Sequence, residues 1–457
     1  MPQSRKPTIM KRYLIGFCSA LLIVLTACDN WIDPKINVNP NTPETAAYTV
    51  VLPTVQAGMA YVMGGDFGRY TSVLNQQNTG VDRQHLGIYN YQFTESDINN
   101  AWNTMYTGPL NDLAIMIERA KNDGAPHYQG VFQVLMAYGV ITTTDLWGDV
   151  PYSEALQGAK ATEPKYDSQE SIYIAINALL DDAIKNLTAA TSNLKPGSDD
   201  LMYGGKVTSW VKAANSLKAR MAIHLAERSA AASSAALVAA AAGIASNAED
   251  FQFTFGSLET EANPWYQFTT QRDGDLTFGV KLSEIITTLK DPRGPIFAVA
   301  DSTGAVTGTS RMNEFYAGIS SPVPFLTFTE MKFIEAEANN RLGNSAAAHT
   351  AYLAAVTASL QRSGVPAAAI TAYLAQPAVD PGADKLTLEN IMTQKYIAMY
   401  TQAESWTDWR RSGFPKLSPT SGSNIPRRFP YAQAERLYNS KMPTGTTIFD
   451  RVWFDVP

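Results

Sequence analysis

Apolar residues recur at helical spacing over most of the chain. Residues 44–63 carry them three and four apart, with Pro43 at the start, and predict a helix. Residues 97–121 predict a second, with Trp102 and Tyr106 four apart and therefore on one face. Residues 126–144 are apolar on most sides, the pattern of a buried helix. Residues 168–187 predict a fourth, where Asp167 and Glu170, three apart, resemble a capping box. Residues 208–227 predict a fifth, and the alanine-rich stretch 230–245 a sixth whose small side chains allow close helix approach.

The helical pattern then lapses. Residues 250–322 are rich in Gly, Pro, Asn, Thr and aromatics, with a short helix expected only at 280–289. Asp291-Pro292-Arg293-Gly294-Pro295 reads as a turn, and 296–306 as a hairpin closing at Ser302-Thr303-Gly304. Helices resume at 325–342, 345–362, 367–375 and 388–411. The tail, 413–457, is loop-like with a short helix at 431–438. One pair has a repeat grammar: Leu342-Gly343-Asn344 joins two helices and is followed by Ala348, Tyr352 and Ala355, as in the second half of a tetratricopeptide-like repeat. The pairs 126–144 with 168–187, and 208–227 with 230–245, suit the same stacking, although no strict 34-residue period is present.

The N-terminus changes the picture. Arg5, Lys6, Lys11 and Arg12 precede the apolar run 13–25, an export signal in form. At about 1.5 Å per residue the run is too short for a hydrocarbon core about 30 Å thick. Leu25-Thr26-Ala27-Cys28 resembles the bacterial lipobox, so residues 1–27 are expected to be cleaved and Cys28 to carry lipid, an anchor that does not span the membrane. Met1 and Met10 are alternative starts, since Lys11 and Arg12 alone would supply the basic flank. Residues 28–43, rich in Asn, Asp and Pro, read as a tether, and 44–457 as the folded domain.

Removing the leader, with its four basic residues and no acidic one, takes the formal charge from −6 to −10. That balance argues against a nucleic-acid partner, which needs a basic stripe. Cys18 leaves with the leader and Cys28 is expected to be acylated, so no Cys nucleophile, disulfide or Cys-held metal remains. His85, His127, His224 and His349 are scattered, without a His-Glu-x-x-His motif. No Gly-x-Ser-x-Gly elbow is present. Gly64-Gly65-Asp66-Phe67-Gly68 lacks the Lys-Ser/Thr of a phosphate loop. Asp145 and Asp149 read as capping and turn residues. Carboxylates are plentiful enough to leave a glycosidase pair open. No cofactor is called for, and a structural calcium ion is left open.

Loop aromatics are the remaining chemistry. Sugar rings stack their C–H faces on Trp and Tyr, while amides and charged groups take the hydroxyls. Residues 78–93 place Tyr89 and Tyr91 beside Arg83 and His85. Asn263-Pro264-Trp265-Tyr266 places two aromatics in the irregular middle, with Tyr316 further on. These seven residues are the expected ligand contacts, with Trp265 and Tyr266 expected to serve the ligand rather than the core. Trp102, Trp147, Trp210, Trp406 and Trp409 are expected in the core.

Thr143-Thr144-Asp145-Leu146-Trp147-Gly148-Asp149-Val150-Pro151-Tyr152 resembles the fingerprint of the SusD/RagB-like family of nutrient-binding lipoproteins. Pro164-Lys165-Tyr166-Asp167, Gly205-Lys206-Val207-Thr208-Ser209-Trp210, Asp291-Pro292-Arg293, the segment from Glu330 to Ala338, and Ile425-Pro426-Arg427-Arg428-Phe429-Pro430-Tyr431 follow in the family's order. The resemblance implies a mainly α fold of four tetratricopeptide-like helix pairs, with a loop-rich, minor-β half that carries the ligand face. It implies ligand aromatics from the two regions just named. It implies a non-enzymatic protein on the outer membrane that passes an oligosaccharide to a SusC-like TonB-dependent transporter. The competing readings are a lipid-anchored glycan hydrolase and a protein-binding helical scaffold.

Overall fold

The computed structural model describes residues 46–457; the expected leader, Cys28 and the tether lie outside the described residues. Helix α1 (Tyr48–Val62) buries Leu52, Val55, Met59 and Ala60, the stripe that predicted it. The chain then widens into a looser helical turn, Met63–Phe67, where Gly65 leaves helical geometry, and continues as α2 (Gly68–Leu74). Glycine is needed here because a Cβ on Gly64 would lie 2.4 Å from a methyl carbon of Val323.

Residues 78–93, expected to be irregular, form strand β1 (Asn78–Gly80) and helix α3 (Arg83–Tyr89), whose first amide is taken by Asp82. The helix expected at 97–121 is split. Helix α4 (Glu95–Met105) and α5 (Asn111–Asn122) flank a wide turn containing Pro109, which has no N–H to give the ladder. Trp102 and Tyr106 share a face as expected, with ring centroids 4.7 Å apart.

Helix α6 (Pro126–Trp147) is buried on nearly every side. Strands β2 (Val150–Pro151) and β3 (Tyr166–Asp167) pair before α7 (Gln169–Leu187). The expected Asp167–Glu170 box does not form. Ser168 caps α7, and Asp167 instead accepts the amides of Tyr152 and Ser153. Helices α8 (Val207–His224) and α9 (Ala232–Ala241) follow, then β4 (Phe251–Phe253).

The expected irregular middle contains helix α10 (Pro264–Gln271), strand β5 (Leu276–Phe278) and helix α11 (Val280–Leu289). The hairpin expected at 296–306 does not form: Pro295 starts a helical turn, α12 (Gly294–Phe297), and Ala298 bridges to Met312. Only the tight turn survives, with Asp301 accepting from Thr303 and Ala305. Helix α13 (Glu314–Ala317) and strand β6 (Val323–Leu326), which pairs with β4, lead to α14 (Phe328–Arg341). Then come α15 (Ser345–Arg362), α16 (Ala367–Leu374), α17 (Leu388–Ala398), α18 (Glu404–Ser412) and α19 (Gln433–Tyr438). The single helix expected at 388–411 breaks where Thr401 takes φ 70°.

Four antiparallel-type pairs, α6 with α7, α8 with α9, α14 with α15 and α17 with α18, make the helical half. Ala348, Tyr352 and Ala355 are all buried, and the Tyr352 hydroxyl donates to the Val379 carbonyl at 2.6 Å. Buried charges tie the pairs together. Arg220 of α8 grips Glu330 of α14 at 2.5 and 2.6 Å. Arg411 of α18 grips Glu337 of α14 at 2.5 and 2.6 Å. Lys395 of α17 pairs with Asp408 of α18 at 2.7 Å. Asp145, expected as a cap, is buried and accepts from Tyr173 at 2.6 Å. Among the described residues no helix is long and apolar enough to cross a membrane.

Candidate ligand-binding clefts

Strand β1 pairs antiparallel with β5, Asn78 opposite Phe278. This two-stranded ladder brings the two aromatic stretches singled out above, far apart in sequence, to one place. Gly80 ends β1, and a Cβ there would lie 1.9 Å from the His85 carbonyl oxygen. Glycine alone lets α3 fold back this closely on the strand. Asn263 accepts the amides of Trp265 and Tyr266 and Pro264 occupies the first turn, so the segment expected as a loop is a helix, α10.

A cleft of about 270 Å³ opens between α10 and the α1, α2 and α3 side. Tyr61, Arg69, Arg83, His85, Phe268 and Arg272 line it, with Asp275 beside them. Tyr61 is 49 % exposed and its hydroxyl donates to Gln267 at 2.6 Å. The Arg69 guanidinium lies 4.7 Å from the Phe268 ring centre, a cation–π contact, and pairs with Asp66. Arg83 pairs with Asp275. The glutamines Gln84, Gln267 and Gln271 supply amide donors and acceptors.

His85 is 3 % exposed, and neither ring nitrogen has a hydrogen-bond partner among the described residues. Burial, then the charges of Arg69 and Arg272, push its pKa down to about 3. Between pH 6.5 and 3 the unfolded chain binds this proton and the folded chain does not, so stability falls as pH drops through that window. The loss attributable to His85 is about 2 kcal/mol at pH 5. Urea titrations of the wild type and His85→Gln at pH 7 and pH 5 check it. The variant should lose less stability on acidification, and equal losses would contradict the assignment.

On the other side of α10 a second cleft of about 520 Å³ shares Phe268 and Arg272 with the first. Tyr266, Arg311, Asn313 and Glu314 line it. The Tyr266 hydroxyl donates to Glu259 at 2.8 Å, leaving its ring half-buried at the rim.

The seven expected contacts therefore separate. Arg83 and His85 meet in the first cleft and Tyr266 lines the second. Trp265 is 2 % exposed and Tyr316 is 5 % exposed, packed against Phe297 and Tyr400, so neither offers a stacking face. Tyr89 and Tyr91 are half-buried against the tail, where the Thr420 amide donates to the Tyr91 hydroxyl at 2.9 Å and the Thr420 hydroxyl to the Tyr89 carbonyl. Sequence reasoning passed over Tyr61, Arg69, Phe268 and Arg272. Asn263-Pro264 was the missed signal: it is a helix start, and from it Trp265 and Phe268 fall three apart.

Asp145, His224 and Glu404 are the one group of three metal-ligating side chains found together among the described residues, their ligand atoms within 4.8 Å of one another. They hydrogen-bond internally: His224 Nε2 lies 2.8 Å from Glu404, and its Nδ1 lies 2.9 Å from the Tyr173 hydroxyl, which also holds Asp145. The group reads as packing rather than a metal centre.

Solved structures share this architecture. A SusD/RagB family protein from Bacteroides thetaiotaomicron VPI-5482 is 24% identical, with 90% of this chain and 99% of that one covered at a TM-score of 0.76. A chitin-binding SusD homologue from Flavobacterium johnsoniae is 22% identical, covering 88% of this chain and 98% of that one at 0.73. A Bacteroides uniformis SusD homologue is 22% identical, with 90% and 100% covered at 0.75. At such identities the likeness establishes the fold. No curated protein matches the chain. A family model for SusD-like proteins, described as starch-binding and associating with the outer membrane, matches residues 40–432, and the chain belongs to that family.

Proposed function

We propose that the protein is a lipid-anchored, surface-exposed nutrient-binding protein that captures an oligosaccharide in the clefts on either side of α10. It would hand the ligand to a SusC-like TonB-dependent transporter, with Cys28 acylated in the outer membrane. The observation that carries the reading is the α10 ridge itself: Tyr61, Tyr266 and Phe268 present aromatic surface beside amides and guanidinium groups, in two adjoining clefts. Aromatic faces with convergent polar groups are what a sugar needs. A neighbour of the same fold is named as chitin-binding, which favours a glycan over a peptide.

A binding role suits the acid chemistry better than hydrolysis does. Asp275 is the sole carboxylate lining the first cleft and is engaged by Arg83; in the second, Asp273 and Glu314 are the lining carboxylates, and Asp273 is engaged by Arg311. A glycosidase needs two carboxyl groups facing the scissile bond.

Titration calorimetry of the purified protein against a panel of oligosaccharides tests the reading. Binding without turnover is expected, and Tyr61→Ala should weaken it about tenfold. Turnover, or no binding across the panel, would overturn it. Mild-detergent co-purification from native membranes tests the partner, with a stoichiometric TonB-dependent barrel as the expected result.

A further inference from the structure

The protein is acidic as a whole, yet the first cleft is not. Three guanidinium groups, Arg69, Arg83 and Arg272, surround it, against one lining carboxylate. Two of the three are committed: Arg69 to Asp66 and Arg83 to Asp275. Arg272 is exposed, and among the described residues its side chain has no ion-pair or hydrogen-bond partner. It therefore brings a guanidinium without a direct partner to the first cleft and, beside Asp273 and Glu314, to the second. Behind it sits His85, almost fully buried, with both ring nitrogens unpartnered. A neutral imidazole carries one donor and one acceptor, and a sugar hydroxyl can satisfy either. Buried polar atoms normally have partners, so a ligand group is the natural one at this place.

We propose that the first cleft takes an acidic oligosaccharide, one whose uronic-acid carboxylate is held by the Arg272 guanidinium while a ring hydroxyl bonds His85. The inference rests on the oligosaccharide-binding reading above and narrows its ligand class. A guanidinium meets a carboxylate with two parallel N–H···O bonds, a match that a neutral hydroxyl cannot give. On a chain with formal charge −6, an anionic glycan would be repelled elsewhere and focused here. Burial first, and then the charges of Arg69 and Arg272, hold the His85 pKa down. The ring stays neutral at neutral pH and serves as a hydrogen-bonding group, leaving the charge to Arg272.

Calorimetry with two panels of equal chain length tests this. One holds uronate oligosaccharides (oligogalacturonate, oligomannuronate), the other neutral malto-, xylo- and chito-oligosaccharides. At least one uronate ligand should bind more tightly than every neutral one, and added salt should weaken it. Arg272→Gln, at an exposed position, should keep the melting temperature and cost the uronate ligand about ten- to a hundredfold in Kd. Equal or tighter binding of neutral sugars would overturn the acidic-ligand inference and leave the oligosaccharide reading standing. Failure of both panels to bind would overturn both. Uronate binding untouched by Arg272→Gln would overturn the assignment to this cleft.

Discussion

Glu337→Ala should destabilise the fold by about 3–5 kcal/mol, because it strips a buried cation cluster of its main counter-charge. Glu337 is fully buried on α14, grips Arg411 through both oxygens and holds Arg341 at 2.8 Å. Without it, Arg411 and Lys395 share Asp408 alone. Burial raises the Glu337 pKa, but Arg411, Arg341 and Lys395 more than offset this and hold it down to about 2. The sign follows. A carboxyl with a depressed folded pKa contributes its stability above its ordinary value of 4.5, and that contribution is lost as pH falls toward 2. Chemical denaturation of wild type and variant at pH 7, 4 and 3 should show a large gap that narrows with acid. A gap below about 1 kcal/mol at pH 7 would mean that the cluster relaxes or admits water. Glu337→Gln, which keeps the shape and part of the hydrogen bonding, should fall between the two.

The helices were legible because a 3.6-residue apolar period survives in most of them; 280–289 and 345–362 match the observed α11 and α15 to the residue. The charged cluster was not. Trp406 and Trp409 mark a core-facing side of the segment 404–411, as expected, but nothing in its sequence buries Glu404, Asp408, Arg410 and Arg411 as well, and all eight residues are buried. The cause lies outside the segment: Arg411 is neutralised by Glu337, 74 positions earlier, and no local pattern announces a partner at that distance. Breaks were missed for a related reason. Residues 388–411 are helix-forming throughout, and the turn at Thr401 is fixed by the docking of α18 beside α2 and α17.

The two aromatic regions were legible in the sequence; which of their side chains line the clefts was not. Residues 78–93 and 263–266 do meet, through the β1–β5 ladder, and that pairing joins Asn78 to Phe278, which sequence periodicity cannot foresee. Within each region, which side chain points outward depends on whether the segment is loop or helix. Reading the segment as a loop assigned neighbouring Trp265 and Tyr266 to the ligand together. A helix turns consecutive residues about 100° apart, which sends Trp265 inward and leaves Tyr266 at the rim.

That divergence is measurable. Trp265→Ala should cost about 3–5 kcal/mol of stability, as truncation of a buried Trp does. The ring is 2 % exposed and lies under Gly68, where an added Cβ would come within 3.7 Å of it. Tyr266→Ala removes a rim ring and one hydrogen bond to Glu259, so its stability should change by less than about 1 kcal/mol while glycan affinity falls. Thermal melts separate the two variants, and calorimetry at a temperature where both are folded compares their binding. Reversed behaviour, with Trp265→Ala stable but unable to bind, would return Trp265 to the ligand face and require α10 to rotate about its axis. The expected outcome divides one short helix between two roles, the inner face fastening it to the core and the outer face open to a ligand.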